Sequence, residues 1–168
     1  MHPILIWLTM MGMLIIQSTV LQVQPFSFVA PNICLVMLLY VSLIRGPLQA
    51  LFIGLTFGLC QDILFGTYLG PNAFTYAAIG YFAGSTFRTY WARQLITVIL
   101  VVLAYTLVHE ITLYGLSRMF GTYHVDFMAA LTYALRMMIW NGIFALLLYS
   151  PSMKLLGNER RSMADESL

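Results

Sequence analysis

Residues 50–84 read ALFIGLTFGLCQDILFGTYLGPNAFTYAAIGYFAG, a run in which Asp62 is the one charged side chain. Ala50, Gly54, Gly58, Asp62, Gly66 and Gly70 fall four apart. At helical periodicity the first four share one face, small enough for a second helix to approach closely and ending in a carboxylate. A carboxylate facing acyl chains costs roughly 2.5–3.5 kcal/mol at the bilayer midplane, so Asp62 is expected to face protein or water. Ala73, Ala77 and the Gly80-x-x-x-Gly84 pair give the next segment a small face of its own that could pack on the first.

Composition places this stretch in a membrane. The 168-residue chain is 61% hydrophobic and 8% charged, with mean hydropathy +0.86, outside the range of soluble globular domains. Lys, Arg, Asp and Glu are absent from 1–44 and again from 63–87. The net charge of +2 lies mostly in short turns and at the tail, which speaks for topology and supplies no basis for nucleic-acid binding. Cys34 and Cys60 sit in apolar segments without CxxC spacing or neighbouring histidines, and read as small core residues. No Lys or Arg precedes the first apolar segment and no A-x-A-like site follows it, so a retained first helix is expected in place of a cleaved leader.

Polar, Gly and Pro positions divide the chain into six apolar segments, 3–22, 30–45, 48–65, 72–88, 94–118 and 126–150. Each is near the ~17–25 residues that cross a bilayer, the second being short. Joining the second and third would make a helix of about 54 Å at ~1.5 Å per residue, against a hydrocarbon core of ~30 Å. A tight hairpin is therefore expected at Arg45-Gly46-Pro47. The predicted fold is all-α, a polytopic bundle of about six transmembrane helices forming a single domain over 1–157, with a frayed polar tail at 158–168. With six spans, Arg45, Arg88, Arg93, Lys154, Arg160 and Arg161 share the side of the termini and Arg118 stands opposite. The positive-inside bias then puts both termini in the cytoplasm.

Asp62, His109, Glu110, Arg136 and Asn141 are the polar residues that a membrane interior must account for. Glu110 lies about 12 Å in from Arg118 and Arg136 about 15 Å in from Asp126, at ~1.5 Å per residue. These depths predict an interhelical Glu110–Arg136 ion pair, as a register-fixing contact or as part of a proton or ligand site. Asp62, nearer the outer end of its helix, has three candidate roles: binding a partner, capping the turn before the fourth segment, or reaching Arg136. His109 is expected either to pack or to titrate.

Motifs for catalysis are missing. The sequence holds no H-E-x-x-H, no G-x-S-x-G, no P-loop and no acidic cluster suited to a metal. Ser85 or Ser42 with His109 has no supporting pattern. No catalytic residue, metal ligand or cofactor is expected.

Residues 31–84 closely resemble the rod shape-determining protein MreD family of bacterial inner membranes. The likeness rests on the Pro31-Asn32 entry to the second segment, the Arg45-Gly46 turn, the G-x-x-x-G-L-x-x-D run from Gly54 to Asp62, the G-x-x-L-G turn from Gly66 to Gly70, and G-Y-x-x-G from Gly80 to Gly84. It covers about a third of the chain; the other spans match in hydropathy and order. The resemblance implies a non-enzymatic, multi-pass subunit of the cell-elongation machinery. Its implied partners are the single-span MreC, the MreB filament, RodA with its penicillin-binding transpeptidase, and membrane lipids. It also implies a fold similar to the substrate-binding membrane components of energy-coupling-factor vitamin transporters, which keeps a small-molecule or lipid carrier open as the alternative. Gly54, Gly58, Asp62, Gly66, Gly70, Gly80 and Gly84 are the candidate partner or packing residues.

Overall fold

The sequence ICLVMLLYVSLIR is apolar on every side of a helix, the pattern of an element buried all round, and it forms the axis about which the others gather. The structure, a computed structural model, describes residues 3–19, 31–89, 94–121 and 126–165. These form α1 (Pro3–Thr19), α2 (Ile33–Arg45), α3 (Pro47–Phe65), α4 (Pro71–Thr89), α5 (Leu95–Met119) and α6 (Phe127–Asp165), with no strand among the described residues. α2 touches all five other helices, and its Cys34, Leu35, Val36 and Leu38 are completely buried. Thirteen residues make it only about 20 Å long. Three elements are long and apolar enough to cross a membrane: α3, α5 and the Phe127–Ser150 part of α6.

Polarity is inverted relative to a soluble protein. Asn32, Asp62, Thr75, Thr106, His109 and Asn141 are buried, while Leu48, Phe52, Ile63, Phe74, Ile96 and Leu147 are exposed. Water as the outer solvent would reverse that choice, and acyl chains favour it.

The turn at 45–47 is as tight as length demanded, because a single residue, Gly46, separates α2 from α3. Its φ of +83° suits glycine, its N–H donates to the Ser42 carbonyl (3.0 Å), and Pro47 begins α3 where no intrahelical N–H is needed. α3 and α4 then form the most intimate pair in the bundle.

One expectation is corrected at the C-terminal end. α6 continues to Asp165, so 158–165 is helical and not frayed. Glu159, Arg160, Arg161, Met163 and Ala164 are good helix formers, and lengthening an existing helix requires no new nucleus. The 20–30 connection, Arg93, and the side chains of Arg88, Lys154, Arg160 and Arg161 lie outside the described residues.

Candidate functional site

The first N–H groups of any helix lack an intrahelical acceptor, and inside a membrane protein water does not supply one. At α4 that acceptor is Asp62, contributed by the last turn of α3 and only 2% exposed. Its Oδ2 accepts from the backbone N–H groups of Gly70 (2.9 Å) and Ala73 (3.0 Å). Its Oδ1 accepts from the Asn72 backbone N–H (3.1 Å) and the Asn72 side-chain amide (2.9 Å). A negative charge against a helix N-terminus is also favoured by the helix dipole. Of the three roles open to Asp62, the structure displays the cap. Gly66 and Gly70 make the turn that permits it: the Gly66 N–H bonds the Asp62 carbonyl (2.9 Å), and Gly70 takes a φ of +118°.

Below this clasp, α3 and α4 approach backbone to backbone. A methyl group added at Gly58 would sit 2.6 Å from the Asn72 carbonyl oxygen, at Gly80 2.5 Å from that of Ala50, and at Gly84 2.6 Å from the Pro47 Cα. Gly54 lies equally close against the Tyr76 carbonyl. These four glycines form one seam inside the chain, so an outside helix could reach them only by displacing a neighbour.

A second polar cluster closes the start of α2, and sequence reading missed it. Asn32 caps its own helix, its Oδ1 accepting from the Leu35 N–H (3.0 Å) and from the Tyr76 hydroxyl of α4 (3.0 Å). The Asn32 N–H donates to Asn141 Oδ1 of α6 (2.8 Å), and Asn141 Nδ2 donates to Thr106 Oγ1 of α5 (3.1 Å). Gln17 of α1 accepts from the Cys34 N–H (3.3 Å). Five helices thus meet at one helix start. The available signal was an Asn directly before an apolar run, the usual N-cap pattern.

The structure does not join Glu110 and Arg136. Glu110 Oε1 lies 3.0 Å from His109 Nδ1, Arg136 is exposed on α6, and no ion pair links the two among the described residues. Matching distances along the two helices do not suffice, because pairing also needs a matching azimuth. The inward stripe of α6 is Ala134, Met137, Asn141 and Ala145, which turns Arg136 outward. His109 is buried with its ring edge-on to Tyr76, centroids 5.1 Å apart. Glu110 instead borders a cavity of about 410 Å³ between α5 and α6, together with Tyr114, Ser117, Ala129, Ala130 and Tyr133.

No group of three His, Cys, Asp or Glu side chains able to hold a metal is present among the described residues. Among the buried polar residues, Asp62, Asn32 and Asn141 join helices to one another.

Comparison with curated proteins and with solved structures gave no match. The family model described as rod shape-determining protein MreD matches residues 1–158, nearly the whole chain. Helix order, the inverted polarity and the clasp of the motif-bearing α3–α4 hairpin accompany that match, and the chain belongs to the rod shape-determining protein MreD family.

Proposed function

We propose that this chain is a non-enzymatic, six-span scaffold of the rod-shape machinery in the bacterial inner membrane, with both termini in the cytoplasm. In this reading it binds the transmembrane helix of MreC and helps couple MreB filaments to peptidoglycan synthesis by RodA and its transpeptidase partner. The family match over 1–158 carries the proposal. The use of its buried polar side chains supports it: Asp62, Asn32, Asn141 and Thr106 bond other helices of the same chain. The alternative, a carrier resembling vitamin-binding transporter components, would need room at the centre of the bundle. α2, packed against all five other helices with most of its apolar side chains buried, weighs against it.

Affinity purification of the full chain from membranes that also contain MreC tests this reading. Stoichiometric recovery of MreC is expected, with loss of rod shape when the chain is depleted. Recovery of the chain without MreC but with a retained small molecule would overturn the scaffold reading in favour of the carrier.

A further inference from the structure

Glu110 and Arg136 are left with an unusual relation. Glu110 stands nine residues before the end of α5 (119 − 110), and Arg136 nine residues after the start of α6 (136 − 127). At ~1.5 Å per residue both lie about 14 Å below the connection that joins the two helices. That is near the middle of a hydrocarbon core of ~30 Å, where an ionised side chain is most costly and a snorkelling arginine is far from either surface. Arg136 is nevertheless exposed, and among the described residues it has no hydrogen bond or ion pair. It continues the stripe of Ala129 and Tyr133, at spacings of seven and three, down the outer wall of the cavity that Glu110 borders.

An acidic and a basic residue therefore stand at the same distance from the α5–α6 connection, Glu110 at the cavity with His109 against it and Arg136 exposed, and no ion pair joins the two among the described residues. A two-fold axis along the membrane normal keeps every residue at its own depth and brings residue i against residue j of the other copy, and j against i. Equal depth is the condition such an axis imposes on a reciprocal pair, and 110 and 136 meet it.

We propose that the α5–α6 face is the interface between two copies of this chain, the Glu110 carboxylate of each meeting the Arg136 guanidinium of the other. The two residue types are self-complementary under the two-fold operation, so a second copy supplies Arg136 with a partner and gives Glu110 a second one beside His109. The small side chains of Ala129 and Ala130 let the backbones approach nearer the outer surface, and the 410 Å³ cavity receives side chains of the opposing copy. The proposal stands apart from MreC binding and uses a different face from the glycine seam.

The test follows fluorescently labelled full-length chain in liposomes by energy transfer as the lipid-to-protein ratio is raised. Wild type should dissociate reversibly from pairs. Glu110→Arg alone and Arg136→Glu alone should each weaken pairing at least about tenfold, since each leaves like charges opposed. An equimolar mixture of the two variants should pair about as well as wild type, because each supplies the charge the other lacks. An ion pair within one chain would show no such rescue. If either variant fails to accumulate, Ala130→Trp, which fills the cavity without altering charge, should abolish pairing. Wild type that stays single at every dilution, pairs only when MreC is added, or survives Ala130→Trp would overturn the proposal, as would a mixture no better than its components.

Discussion

The first turn of α4 is held by a carboxylate eight to eleven residues upstream, whereas the first turn of α2 is held by neutral groups drawn from helices as far as 109 residues away. Both starts face the same problem, donors with no water to satisfy them. The α4 solution is local, a single acidic side chain, and it is complete within one hairpin. The α2 solution is distributed and neutral, and depends on α4, α5 and α6 being in place. The contrast separates a unit that holds itself together from a junction that holds the bundle together.

The largest way to break the first is Asp62→Ala. Three backbone N–H groups and one side-chain amide lose their acceptor, and a stability loss of at least about 4 kcal/mol is expected in denaturant titrations of detergent-solubilised protein. Asp62→Asn, which turns one acceptor oxygen into a donor facing N–H groups, should lose roughly half as much. Asn141→Leu attacks the second start by removing the acceptor of the Asn32 N–H, and should cost about 2–3 kcal/mol. Hydrogen exchange sharpens the distinction. Loss of protection should stay within 66–73 for Asp62→Asn but spread from α2 into α5 and α6 for Asn141→Leu.

Gly80→Ala tests the hairpin's seam and should cost about 1–3 kcal/mol, because the new methyl meets the Ala50 carbonyl. Gly115→Ala, with nothing within 4 Å of the added carbon, should be neutral or slightly stabilising in the same assay. Equal losses at the two sites would mean that the seam is not the constraint. Among the destabilising changes the smallest loss is expected of Tyr76→Phe, about 1 kcal/mol, since Asn32 Oδ1 still accepts from Leu35.

Local relations were the legible ones. The four-residue spacing of Gly54, Gly58 and Asp62 and the pairing of Gly80 with Gly84 announced a close hairpin, because small faces and a nearby carboxylate are visible in one window of sequence. The Gly46 turn followed from length alone. Asn141 was noticed, but its partner lies 109 residues away and no local pattern points to it. For Glu110 and Arg136, rise per residue yields depth, yet pairing also requires rotation about the helix axis. That rotation was encoded in Ala134, Met137, Asn141 and Ala145, whose alanines and lone methionine make a weak stripe beside a helix apolar on most sides.

The reach of the Asn32–Asn141 bond has a consequence for synthesis. At about 5–20 residues per second, the ribosome completes the Asp62 clasp within roughly a second or two of making its carboxylate. The 109 residues from Asn32 to its acceptor take about 5–20 s, by which time α2 has already entered the membrane. During that interval the central helix carries an open donor that insertion machinery or lipid defects must accommodate. A chain interrupted before α6 loses more than a peripheral span. It keeps a finished hairpin beside a core helix whose Asn32 N–H has no acceptor, the kind of half-satisfied intermediate that membrane proteases remove.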